Sequence, residues 1–213
     1  MRARRLVAAL VLVCAASGVL ATAAGASDSS LPPAARKDLV AIFAKKMRPF
    51  GLRITRAALV NPQQERDATG THLAIYVEPT GDYTPQDYID GTVDVSKAFL
   101  PYVFAHWKGL KSFDVCQEPR PAVDDRPTPA PETQVYATRA GSTLVDWKTV
   151  DVATMIRTSH EQAAATPTNG DVPFSVFVAK HLQNTPGYQA VADTAATTPA
   201  ASTPAAPTVR DYG

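Results

Sequence analysis

The fold is decided by the stretch Thr71–Pro119, which reads THLAIYVEPTGDYTPQDYIDGTVDVSKAFLPYVFAHWKGLKSFDVCQEP. Apolar and polar residues alternate over 72–78 and again over 112–118, which is typical of half-buried strands. Each run ends in a Glu-Pro pair, and proline ends a strand because it has no backbone N–H to donate. The residues between the two runs have apolar side chains at helical spacing. The stretch therefore predicts a strand–helix–strand unit over 71–118.

The helix of this unit has a clear start. Thr84 is placed to cap it, Pro85 suits the first helical position, and Asp87 faces the positive end of the helix dipole. The helical spacing continues past Pro101, which predicts a bent helix, or two nearly aligned helices, with the break near residues 99–100. So long a crossover favours a parallel pair of strands, although the helix could also lead into an antiparallel edge strand.

The residues before this unit predict a covering helix and one more strand. From Ala34 apolar side chains recur at helical spacing, and Gly51 is a suitable stop for that helix. Leu52–Val60 is a strand candidate. The polar residues 61–70 then join it to the strand over 72–78 as a loop.

After the unit, residues 119–132 contain five prolines and predict an extended surface loop. The next residues predict a β-hairpin over 134–150. Its first strand starts at Gln134, its turn lies at residues 140–142, and its second strand covers 144–150, where Val145 and Trp147 share one face.

The C-terminal third predicts less regular structure. Asp151 can cap a short helix that runs to Arg157. Residues 162–171 predict a linker, and residues 172–193 hold an apolar patch that predicts one more short helix. From residue 194 to 213 the chain is Ala, Thr, Ser and Pro with little charge, which predicts a disordered tail.

Together these patterns predict a single small α+β domain over residues 34–193. Its mixed sheet would have about four to five strands covered by helices, including the unit at 71–118 and the hairpin at 134–150. Residues 27–33 would be a flexible leader.

The N-terminus has the order of a secretory signal peptide over residues 1–26. Three arginines among the first five residues precede an apolar run from Leu6 to about Leu20, and small residues continue to Ala26. We expect export and cleavage after Ala26, which leaves 213 − 26 = 187 residues. The alternative is a retained membrane anchor over 6–24, since roughly 20 apolar residues span a bilayer.

Charge and cysteine content narrow the function classes. Cleavage removes three arginines and no acid, so the net charge changes from +1 to −2. That balance does not favour nucleic acid or a polybasic membrane contact as a partner. Cys116 is the one cysteine of the mature chain. Its strand-face neighbours Asp114 and Glu118 would raise the pKa of its thiol, so a buried side chain is expected in preference to a nucleophile or an intermolecular disulfide.

The candidate site follows from the parallel strand pair. Glu78 and Glu118 would lie at the carboxyl ends of neighbouring strands, which is the edge where open sheets usually bind ligands. Candidate ligand-binding residues at this edge are Tyr76, Glu78, Asp82, Asp114 and Glu118, and His72 could join them. The histidines show no metal-ligand spacing, so we expect no metal and no cofactor.

These observations favour a secreted or cell-envelope binding domain without enzymatic activity. Its partner would be a protein, a wall polymer or a small ligand. One alternative is a secreted hydrolase in which Glu78 and Glu118 act as the paired carboxylates of glycoside hydrolysis. Another is a membrane-tethered extracytoplasmic sensor domain, which would require the N-terminal segment to be kept as an anchor.

Overall fold

The computed structural model describes residues 31–32, 36–60, 71–120, 130–167 and 172–197. The predicted signal peptide, the loop 61–70 and residues 198–213 lie outside them. Ten elements follow one another along the described residues: α1 (Arg36–Met47), β1 (Leu52–Val60), β2 (His72–Pro79), α2 (Pro85–His106), β3 (Ser112–Gln117), β4 (Thr133–Thr138), α3 (Val152–Ala165), β5 (Phe174–Val178), α4 (Lys180–Gln183) and α5 (Pro186–Thr197).

The five described strands form one mixed sheet in the order β1-β2-β3-β4-β5. Strands β2 and β3 are parallel, and the other three neighbouring pairs are antiparallel. The prediction of a small α+β domain with a mixed sheet of four to five strands is confirmed. Among the described residues no helix is long and apolar enough to cross a membrane.

The strand–helix–strand unit is confirmed in detail. The side chain of Thr84 accepts a hydrogen bond from the backbone N–H of Asp87, and the Asp87 carboxylate accepts one from the backbone N–H of Thr84. The helix α2 is continuous through Pro101, without the predicted break. Pro101 is exposed, so the hydrogen bond that it cannot make is lost on the solvent side of the helix.

The predicted hairpin at 134–150 is wrong. Strand β4 occupies its first half, but a 3₁₀ turn over Gly141–Thr143 follows and residues 144–150 form no strand. Val145 and Val150 are buried in the core, and the indole N–H of Trp147 donates to the backbone oxygen of Ser142. The alternating apolar residues at 144–150 therefore belong to an irregular segment that packs on the core. The free edge of β4 pairs with β5 instead.

The C-terminal part is more regular than predicted. Residues 174–178, expected to be helical, form the edge strand β5. Helix α3 extends to Ala165, into the predicted linker, and it packs against β5 and α5. Helix α5 ends at Thr197, beyond the boundary predicted at residue 193.

The helices α1, α2 and α3 pack on one face of the sheet, which we call the inner face. Its strand residues are buried with Phe43 of α1, Phe99 of α2 and Met155 of α3 in one apolar cluster. Because side chains alternate along a strand, the opposite face carries the remaining strand residues. We call it the outer face, and its central side chains are His72, Ala74, Tyr76, Glu78, Ser112, Asp114, Cys116, Glu118, Gln134 and Tyr136.

Candidate functional site

Glu78 is a buried carboxylate at the carboxyl end of β2, with 6% of the residue exposed. Its partner is Arg53, which stands opposite it in the β1–β2 register. The Nε atom of Arg53 donates to Oε1 of Glu78 at 2.5 Å, and the Nη2 atom of Arg53 contacts the same oxygen. An ionised carboxylate has about four acceptor positions on its two oxygens, so two contacts with one arginine do not use all of them.

Glu118 continues β3 at the same end of the sheet, where its backbone N–H donates to the oxygen of Val77 at 2.7 Å. Its Oε2 atom accepts a hydrogen bond from the hydroxyl of Thr55 on β1 at 2.5 Å. The two candidate carboxylates are therefore neighbours in the sheet. They are nevertheless held by different residues of β1, Arg53 and Thr55.

Tyr76 lies between these carboxylates and the middle of the outer face. The guanidinium of Arg56 stacks over its ring, 3.7 Å from the ring centre. Burial raises the pKa of the Tyr76 phenol, and nearby Cys116 and Asp114 raise it further. Tyr76 is thus a neutral, half-buried ring clamped by a cation.

Asp114 belongs to a buried polar network further along the outer face. Its Oδ2 atom accepts a hydrogen bond from Gln134 at 2.9 Å and lies 3.4 Å from Nε2 of His72. The other ring nitrogen of His72 lies 2.9 Å from the hydroxyl of Ser112. Serine, histidine and aspartate are the residue types of a nucleophilic triad, but Ser112 is only 3% exposed. A substrate has no access to this hydroxyl, so we interpret the network as structural.

Cys116 is buried next to this network. Burial raises the pKa of its thiol, and the carboxylates of Asp114 and Glu118 raise it further. This confirms the direction expected from its strand neighbours. A thiol that stays protonated is a poor nucleophile and a poor metal ligand.

Asp82 lies outside the sheet, fully exposed, in the segment between β2 and α2. Its Oδ1 atom contacts Nη1 of Arg120 at 2.6 Å. Arg120 follows β3, and its backbone N–H donates to the hydroxyl of Tyr88 on α2. Burial raises the pKa of Tyr88 to about 12, so the phenol stays neutral and can serve as this anchor.

Arg120 and the Arg53–Glu78 pair line a small pocket at the carboxyl end of β2. Its volume is about 210 Å³. We call it the edge pocket, and its lining residues are Arg53, Glu78, Pro79, Thr80 and Arg120. The side chains of Arg53 and Arg120 are 64% and 52% exposed, so both guanidinium groups are open to solvent.

A further carboxylate, partly buried, lies at the same end of the sheet. Glu132, just before β4, contacts Nε2 of His181 on α4 at 2.7 Å. The backbone N–H of Glu132 donates to the oxygen of Gln117, which ties this residue to the end of β3. The sequence interpretation had placed both residues in segments without a predicted site.

The structure thus separates the five predicted ligand-binding residues into two groups. Glu78 lines the edge pocket, and Asp82 holds a pocket arginine. The other three share the outer face with Glu78 but are not among the lining residues, and they are in hydrogen-bonded or stacked contacts: Tyr76, Asp114 and Glu118. The arginines were missed. Arg53 stands opposite Glu78 because the β1–β2 register shifts by one residue between Ile54 and Arg56, and no sequence pattern predicted that shift.

No group of histidine, cysteine, aspartate and glutamate side chains among the described residues is arranged to hold a metal ion. Comparison of the chain with protein-family models, curated proteins and solved structures finds no match.

Proposed function

We propose that this chain is a secreted or cell-envelope binding domain without enzymatic activity, and that its ligand contacts the edge pocket. The observation that carries the proposal is the position of this pocket. It lies where the parallel strands β2 and β3 end, and it is lined by two solvent-open guanidinium groups and a buried carboxylate. In open sheets this edge is the usual place of ligand binding.

Rigid support favours binding at this place. Arg53 sits on β1 and is fixed by Glu78, while the hydroxyl of Thr80 donates to the oxygen of Gly51 at 2.9 Å. Gly51 has a φ of 64°, a left-handed conformation that favours glycine, and its oxygen also accepts the backbone N–H of Thr80. Polar groups held in this way lose little conformational freedom on binding.

The contacts of the carboxylates favour binding over the hydrolase alternative. Paired-carboxylate hydrolysis needs one acid and one base on opposite sides of a scissile bond. Here Glu78 is engaged by Arg53, and Glu118 is engaged by Thr55. The sensor alternative depends on residues 6–24, which lie outside the described residues.

A fragment screen by ¹H–¹⁵N NMR tests the proposed site. We expect small polar fragments and pieces of wall polymers that bind to shift the amide signals of Thr80, Arg53 and Arg120 together. The variant Arg120→Gln should weaken these shifts, while Arg56→Gln, on the same strand as Arg53 but outside the pocket, should not. Bound fragments whose shifts cluster elsewhere would contradict the assignment.

Export is tested separately by N-terminal sequencing of the protein recovered outside the cytoplasm. We expect the mature chain to begin at Ser27. An intact Met1 in the membrane fraction would instead support the anchored form.

A further inference from the structure

We propose that the edge pocket recognises a small carboxylate whose neighbouring carbon carries a hydrogen-bond donor, such as an α-hydroxy or α-amino acid group. This inference rests on the proposed function and names the ligand class of the same site. Two guanidinium groups and one buried carboxylate line the pocket. Each arginine is paired with one carboxylate, Arg53 with Glu78 and Arg120 with Asp82, which lies outside the lining.

The arginines are oriented and still have free donors. Arg53 uses Nε and Nη2 on one oxygen of Glu78, and Arg120 uses Nη1 on Asp82. A guanidinium has five N–H groups in a planar fork, so each arginine keeps donors beyond its ion pair. Such forks match the two oxygens of a carboxylate, which a lysine would hold only as a point charge.

The lining also offers an acceptor. The contacts of Arg53 go to Oε1 of Glu78, and an ionised carboxylate has about four acceptor positions, so Glu78 can accept a further hydrogen bond. The hydroxyl of Thr80 already donates to Gly51, so its oxygen can accept as well. A ligand that places an O–H or N–H next to its carboxylate satisfies both kinds of group. A phosphate dianion would bring more negative charge towards Glu78 without supplying that donor.

The size of the pocket limits the ligand to a small group. The volume of the edge pocket is about 210 Å³. Pockets for drug-sized ligands are larger, about 300–1,000 Å³. The pocket therefore takes a free small acid, or the acidic end of a longer molecule such as a peptide or an acidic sugar.

NMR titration of the mature protein at constant ionic strength tests this inference with four probes: glycolate, acetate, ethylene glycol and inorganic phosphate. We expect glycolate to shift the Thr80 amide and the Nε–H signal of Arg53, with an apparent Kd about two- to tenfold below that of acetate, because acetate lacks the donor. Ethylene glycol and phosphate should bind more weakly than acetate.

Arg120→Gln should weaken glycolate binding at least tenfold, since its exposed side chain is removed without burying an unpaired charge. Arg56→Gln is the matched control.

The outcomes separate this inference from the proposed function. If ethylene glycol or phosphate binds at the pocket as well as glycolate does, the pocket still binds ligands and the carboxylate inference is overturned. If acetate equals glycolate, the requirement for a neighbouring donor is overturned. If none of the probes and no fragment of the screen shifts the pocket signals, the proposed function itself fails.

Discussion

Cys116 is a thiol whose surroundings keep it protonated. Burial and two neighbouring carboxylates raise its pKa, so little thiolate is present at neutral or mildly alkaline pH. We predict that the folded protein without residues 1–26, in which Cys116 is the one cysteine, reacts with a thiol reagent such as DTNB far more slowly than the same protein unfolded in guanidinium. A double variant, Cys116→Ser with Thr143→Cys, provides the control, because residue 143 is exposed and its thiol should react at once. Native labelling of wild-type protein at the control's rate would contradict the prediction.

Asp151 is the N-cap of α3. Its Oδ1 atom accepts the backbone N–H of Thr154 at 2.7 Å. We predict that Asp151→Ala lowers the free energy of unfolding by about 0.5–2 kcal/mol at neutral pH, as removal of an N-cap does. Asp151→Ser should retain most of that stability, since serine also caps. Urea unfolding followed by circular dichroism measures both variants.

The pH dependence of the Asp151 variant follows from linkage. Hydrogen bonds from Thr154 lower the pKa of Asp151 in the folded state below its ordinary value of 3.8. The charged cap therefore contributes its full stability above pH 3.8, and that stability is lost as the pH falls through the folded pKa. The difference between wild type and Asp151→Ala should shrink in acid. A difference that stays constant from about pH 6 to about pH 3 would contradict this reading.

Gly141, in the connection from β4 to α3, lies close to the backbone of Pro173, which comes just before β5. A Cβ atom at Gly141 would lie 1.8 Å from the backbone oxygen of Pro173, and that oxygen accepts the backbone N–H of Thr138. We predict that Gly141→Ala lowers the free energy of unfolding by about 1–3 kcal/mol, because backbone has to shift. Gly81→Ala is the control, since nothing lies within 4 Å of its Cβ position. Equal stability of the two variants in urea would show that this segment can move at little cost.

Strand β5 was not predicted from the sequence. The strand is five residues long, and it pairs with β4 across the turn and the whole of α3. Short apolar runs do not distinguish a strand from a helix by spacing alone. By contrast, the unit at 71–118 has long periodic runs and a cap whose signals are local, so its elements were predicted from sequence.

The end of α2 is also stabilised by a contact that the local sequence does not predict. Arg139, next to β4, donates to the backbone oxygens of Phe104, Trp107 and Leu110. These carbonyls lie at the end of the helix and just beyond it, where no residue further along the helix can donate to them. No local pattern links Arg139 to a helix that ends at His106, because the contact depends on the packing of β4 beside β3.

The candidate site contains one residue that the local sequence predicted and two that depend on the arrangement of the whole sheet. Glu78 was predicted at the sheet edge because strand ends and parallel pairing can be read from local sequence. Arg53 and Arg120 reach the same pocket from β1 and from beyond β3, so their placement depends on the order of the strands. Sequence reasoning thus located the edge but did not place the two arginines there.

Helix α5 sets the C-terminal boundary of the folded domain. Helix α5 packs on α3, where Ala153, Ile156 and Ala195 form a buried apolar cluster with Tyr188 and Val191 at its border. Ala195 is 5% exposed, although the sequence interpretation assigned it to the disordered tail. The last turn of α5 therefore contributes to the core beside α3.

Two truncations of a chain that starts at Ser27 test this boundary. We predict that a chain ending at Thr197 has the same free energy of unfolding as the chain over 27–213, since the removed residues are poor in groups that could be buried. A chain ending at Thr185 should lose at least the roughly 1.5–3 kcal/mol that burial of one large aliphatic side chain contributes, because Ile156 becomes exposed. Thermal and urea unfolding measure both chains. A loss of stability on removal of 198–213 alone would show that the tail packs on the domain, and an unchanged chain ending at Thr185 would show that α5 is dispensable for the core.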